Sequence, residues 1–175
     1  MERGYEPYKG NEPVGENYMT TNYLQMMIDS LNKKKTILTK IVVLNEEQNE
    51  ILSKALFDGD AFDANMKAKG ECIDGLDKLD EGFQALFNRV RDAINADKAM
   101  YSEEISSMKK LITEVTELGA KIEVQEARNK VKVEEMFRRE RQEHKEAKRS
   151  ASMAKSYYQN MSKVSYEPQF MDTKQ

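Results

Sequence analysis

The sequence predicts an all-α protein, an elongated antiparallel helical hairpin or three-helix coiled-coil bundle with a projecting C-terminal helix. Three observations carry that prediction. Of the 175 residues, 34% are charged and only 8% aromatic, with three prolines and no tryptophan, a composition rich in helix formers and poor in the material of a compact β core. Apolar residues recur alternately three and four apart over long stretches. The breaks between those stretches carry Gly and Asp, which end and cap helices.

Residues 1–19 hold two of the three prolines and three of the eight glycines. They lack a helical period and are expected to form a disordered N-terminal arm. From Thr20 a seam runs through Leu24, Ile28, Leu31, Lys35, Leu38, Val42, Asn45, Asn49, Leu52 and Leu56, predicting a first helix over about 20–57. Met27, Ile41, Leu44, Ile51 and Ala55 lie beside it and widen the stripe, which suits packing against more than one helix. Asn45 and Asn49 interrupt the seam. Either they are buried and fix register, or the helix turns outward there.

The segment FDGD stops the first helix, with Asp58 or Asp60 available to cap the next. Phe62, Met66, Lys69, Ile73, Leu76, Leu79, Phe83, Phe87, Val90 and Ile94 predict a second helix over about 61–95. Gly70, Gly75 and Gly82 each cost it about 1 kcal/mol relative to Ala; they soften one bent helix or let a neighbour approach closely. A third helix is expected over about 100–165. Asp97 or Ser102 caps it, and Glu103 and Glu104 stand in its first turn, where the helix dipole favours them. Its stripe of Tyr101, Ile105, Met108, Ile112, Val115, Leu118 and Ile122 thins at Glu126 and Asn129, then resumes at Val133, Met136 and Phe137. From Arg138 to Arg149 almost nothing apolar remains, which predicts a solvated helical shaft beyond the core. Apolar spacing returns at Ala147, Ala151, Ala154, Tyr157, Tyr158, Met161 and Val164. Pro168 ends any helix before it, leaving 166–175 as a short tail. The helical domain is thus expected over 20–165.

Several function classes find no residues here. There is no glycine-rich phosphate loop, no nucleophile elbow and no Cys/His ligand spacing. The one histidine, His144, lies in the charged shaft, and Cys72 is the only cysteine. Adjacent glutamates such as Glu46/Glu47 diverge around a helix instead of converging on a substrate. No enzyme, cofactor or metal is expected. Residues 128–149 hold nine Lys or Arg against five Glu, but the interspersed acids disfavour nucleic acid. No apolar run approaches the roughly 20 residues needed to cross a bilayer, and the opening stretch MERGYEPYKGNEPVGENYMTT carries no apolar signal core. The expectation is a cytoplasmic protein without stable membrane insertion. Wide heptad stripes serve a monomer or a homodimer equally.

Two stretches, YLQMMIDSLNKKKTILTKIVVLNEEQNEILSKALFDGD followed by AFDANMKAKGECIDGLDKLDEGFQALFNRV, resemble the flagellar type III export chaperones of the FlgN group. The terminal SYYQNMSK and PQFMDTKQ resemble the aromatic-bearing last helix and short phenylalanine–aspartate–lysine tail of that group. The likeness covers most of residues 20–175 through diffuse heptads and a tail pattern. It implies a cytoplasmic chaperone that binds the amphipathic C-terminal segments of hook–filament junction proteins, keeps them unassembled and delivers them to the export gate. It also implies that the last helix binds the partner and that a tyrosine near it docks at the gate. Carried onto this chain, the partner-binding residues are Ala154, Tyr157, Tyr158, Met161, Val164 and Phe170. The proline-bearing arm and the long charged shaft depart from the family pattern. The alternative is a structural coiled-coil adapter or homo-oligomeric scaffold with no export role, whose seams pair between chains.

Overall fold

A computed structural model of the chain describes residues 14–140 and 147–164. These form four α-helices, α1 (Val14–Ser53), α2 (Gly59–Ala96), α3 (Ser102–Glu140) and α4 (Ala147–Met161), with no strand among the described residues. The all-α bundle expected from the seams is what forms.

Helix α1, about 60 Å long at 1.5 Å per residue, is the central post, packed on α2 along one side and α3 along another. Its cross-helix bonds give the directions. Lys34 meets Asp80 while Asn65, earlier in α2, donates to the carbonyl of Leu44, so α2 runs antiparallel to α1. Lys35 meets Glu114 and Lys132 meets Asn49, so α3 runs parallel to it.

The buried positions of α1 are Thr20, Leu24, Met27, Leu31, Lys34, Leu38, Ile41, Asn45, Gln48 and Leu52, with Leu44 beside them. This is a three–four seam rotated slightly from the expected one: Ile28, Lys35, Val42 and Asn49 are only half-buried, and Leu56 stands 85% exposed. The rotation has a plain cause. Lys34 and Gln48 hold core positions because each finds polar partners across the bundle, and a hydropathy pattern cannot register that. Asn45 is fully buried, so the helix does not turn outward there, while Asn49 is half-buried.

Several boundaries differ from expectation. Helix α1 begins at Val14, six residues earlier, and Asn17 accepts a hydrogen bond from the hydroxyl of buried Tyr101. It ends at Ser53 instead of near 57, which frees Phe57 to pack on Phe62 with ring centroids 5.6 Å apart. Asp58 then caps α2, accepting from the amide of Ala61 at 3.0 Å. Asp97 closes α2 and accepts from the amide of Met100, so α3 starts at Ser102 with Glu103 and Glu104 in its first turn.

Helix α2 is continuous through all three interior glycines. At Gly75 a neighbour does come close: a Cβ there would lie 3.1 Å from Cδ1 of Ile37. At Gly82 a Cβ would meet nothing within 4 Å. Gly82→Ala is therefore expected to stabilise the protein by about 1 kcal/mol, raising Tm by roughly 2–4 °C in a thermal melt. Gly75→Ala, which must displace Ile37, is expected to gain less.

The C-terminal helix does not project. Helix α4 lies along the groove between α2 and α3, diagonally across from α1. Ser150 bonds Asp63 near the start of α2, and Tyr157 bonds Glu126 on α3, so α4 runs parallel to α2 and antiparallel to α3. The chain thus reverses between α3 and α4; residues 141–146 of the expected shaft lie outside the described residues. One end of the molecule is a three-helix bundle around Leu24, Met27, Phe83, Val90 and Met108. The other is a four-helix bundle around Leu38, Phe62, Met66, Ile122 and Phe137, with α4 as its fourth member.

Candidate functional site

The seat of α4 has a polar floor built from α1, α2 and α3. Lys69 of α2 is completely buried. Its ammonium lies 2.9 Å from Oε1 and 3.0 Å from Oε2 of Glu126 on α3, and donates to Oε1 of Gln48 on α1 at 3.1 Å. It sits 4.2 Å from the ring centroid of Tyr157 on α4, a cation–π contact strengthened by the absence of water. The Tyr157 hydroxyl donates to Oε1 of Glu126 at 2.6 Å. Asn129 donates to Gln48 at 3.1 Å and to the carbonyl of Asn45 at 2.7 Å, while Gln125 donates to Glu46 at 2.6 Å.

This layer explains why the α3 stripe does not thin as its hydropathy suggests. Glu126 and Asn129 continue the core in polar form, with Gln125 beside them. Burial pulls the Lys69 ammonium below the usual lysine range, and Glu126 pushes it back. Glu46, at the open edge of the layer, is held below the usual carboxylate range first by the Gln125 bond and then by Arg128.

Helix α4 sits on this floor with Ala154, Tyr157 and Met161 buried and Tyr158 and Val164 half-buried. Five of the six residues carried over by the resemblance therefore share one face, and that face is turned onto the body of the protein. Phe170 lies outside the described residues. Grooves flank α4 on both sides. One, about 550 Å³, lies between α2 and α4 and is lined by Met66, Gly70, Ile73, Met153 and Tyr157 among others. The other, about 510 Å³, lies between α3 and α4 along Val133, Phe137, Ala151, Ala154 and Tyr158.

No protein-family model, curated protein or solved structure matches the chain.

The two tyrosines are adjacent in sequence, with rings packed edge to face at 5.4 Å, yet their hydroxyls differ. Tyr157 is paired with Glu126. The Tyr158 hydroxyl is buried and has no hydrogen-bond partner among the described residues. Burial, followed by the charges of Glu126 and Glu134, pushes its pKa well above the usual tyrosine range. Sequence reasoning found the α4 face from its spacing. It missed Gln48 and Glu126 as parts of the site, and it read Lys69 only as a seam residue. The available signal was three polar residues, Gln48, Lys69 and Glu126, each falling on or beside an apolar seam.

Proposed function

We propose that the protein is a cytoplasmic flagellar export chaperone, with α4 as the element that binds the amphipathic C-terminal segments of hook–filament junction proteins and presents them to the export gate. The observation that carries this reading is the seating of α4. It is an amphipathic helix whose apolar face is complete, yet it rests on a charged floor and fills its groove only partly. A helix held this way can exchange its seat for a partner helix of the same character, a helix-in-groove contact. Burying three or four side chains at roughly 1.5–3 kcal/mol each, less association and ordering costs, gives modest affinity, which suits a carrier that must release its cargo. Among the described residues no helix is long and apolar enough to cross a membrane, in keeping with a carrier that has no membrane anchor in this region.

Calorimetry with C-terminal peptides of hook–filament junction proteins tests the proposal. The full chain is expected to bind with micromolar affinity, and a chain ending before Ala151 is expected to lose binding. Absence of binding to the full chain would overturn the cargo assignment.

One observation favours the scaffold reading. Ala120, Val124, Ala127 and Val131 form an exposed stripe at heptad spacing along the outer face of α3, with Val124 72% exposed. A dimer in sedimentation that Val124→Lys dissociates would favour the scaffold; a monomer at micromolar concentration favours the chaperone.

A further inference from the structure

The flank of α1 that faces α2 is marked by Tyr23, Ser30 and Ile37 at heptad spacing. Arg89 donates to the Tyr23 hydroxyl at 3.3 Å, Ser30 donates to the carbonyl of Leu79, and Ile37 lies against Gly75. Four residues before each comes the neighbouring strip of the helix, one step further from the core. It carries Met19, Met26, Lys33 and, continuing the spacing, Lys40. All four are exposed, Met19 by 54% and Met26 by 53%. On α2 the matching outer strip is Glu71, Lys78 and Ala85, exposed as well.

The antiparallel register, set by Lys34 on Asp80 and Ile37 on Gly75, brings these strips level. Met26 stands across the groove from Ala85, and Lys33 from Lys78. Neither Lys33 nor Lys78 has an ion-pair partner among the described residues. The acids nearby are committed: Glu71 stands level with Lys40, and Asp92, at the level of Met19, is paired with Arg91 at 3.2 Å. Between the lysines and the methionines the floor is open, since a Cβ at Gly82 would meet nothing within 4 Å. Helix α4 lies against the other flank of α2, along Asp63, Met66 and Ile73, and leaves this groove clear.

We propose that the outer groove between α1 and α2 docks an acidic amphipathic helix of a partner protein. Its apolar face rests on Met19 and Met26, and a carboxylate settles between Lys33 and Lys78. Isolated apolar residues on a surface need no partner. Two methionines at heptad spacing along a groove form the apolar line that an amphipathic helix reads, and their flexible side chains adapt to its contours. The facing lysines choose the sign of the partner: they repel each other and any basic helix, and a carboxylate between them relieves both. The site does not depend on the chaperone reading, and its occupation leaves the α4 seat untouched.

The stretch from Met19 to Lys40 is roughly 32 Å long, the length of a three-heptad helix. The probe is therefore a three-heptad peptide with leucine along one face and glutamate on both flanks, beside the same peptide with lysine for glutamate. Fluorescence anisotropy with the full-length protein reads binding. The variants are Lys33→Glu with Lys78→Glu, and Met19→Ser with Met26→Ser; all four side chains are exposed, so thermal melts are expected to match wild type. The wild type is expected to bind the glutamate peptide and not the lysine one. Charge reversal is expected to weaken the glutamate peptide at least about tenfold and to admit the lysine peptide. The serine pair is expected to weaken the glutamate peptide about tenfold as well. Equal binding of both peptides, or of neither, would overturn the proposal. So would binding that survives charge reversal, which places the peptide elsewhere, or binding that survives the serine pair, which reduces it to charge attraction.

Discussion

Glu126→Ala is expected to destabilise the protein by about 3–5 kcal/mol, the cost of stripping one partner from a buried ion pair. The loss is large because of what remains. The Lys69 ammonium, fully buried, would keep the side-chain oxygen of Gln48 and the rings of Tyr157 and Tyr158 but no anion, and Tyr157 would lose its acceptor. Lys69 would have to lose its proton or draw water into the core. Replacing both partners, as in Lys69→Met with Glu126→Leu, is expected to cost little or to stabilise, because the desolvation of two charges disappears along with their attraction. Urea unfolding of the two variants checks the pair. A single mutant within 1 kcal/mol of wild type would show that the layer is hydrated in solution.

The second large effect is expected at Phe62. Its ring is fully buried where α2 begins, edge-on to Phe137 of α3 with centroids 6.2 Å apart and tilted against Phe57. It joins the end of the α1–α2 connection to the four-helix end of the core. Phe62→Ala removes a large side chain from a place where three elements meet and the helix cap at Asp58 limits collapse. The expected loss is about 3–5 kcal/mol, read as a lower urea midpoint with an unchanged m value. A loss below 2 kcal/mol would mean that Phe57 or Phe137 moves in to fill the cavity.

The helices were legible because their apolar positions repeat. The α2 seam from Phe62 to Ile94 is buried or half-buried throughout, and Asp58 caps it as the FDGD stop suggested. The α1 seam was read slightly out of rotation, since Lys34 and Gln48 occupy core positions that a hydropathy pattern assigns to solvent. Lys34 is buried against Asp80 at 2.6 Å, a partner 46 residues away that no local rule supplies. The same reason hid the reach of the α3 core: Glu126 and Asn129 look like a fading stripe until Lys69, Gln48 and Asn45 are placed opposite them.

The direction of α4 was beyond the sequence for a different cause. A charged stretch from Arg138 to Arg149 reads as a solvated shaft, and nothing local says that the chain reverses. The reversal is settled by distant partners, Ser150 on Asp63 and Tyr157 on Glu126. The face made by Ala154, Tyr157, Tyr158, Met161 and Val164 was nonetheless readable from spacing alone. What the sequence withheld was the surface that covers it.

The central claim is that α4 leaves its seat when a client segment binds. Electron–electron distance measurement between spin labels at Lys67 and Asn160, in a Cys72→Ala background, tests it most directly. Both positions are exposed and line the same groove between α2 and α4. The account predicts one short distance in the free protein and a longer one when the C-terminal peptide of a hook–filament junction protein is added to saturation. A short distance that persists with the peptide bound would contradict it.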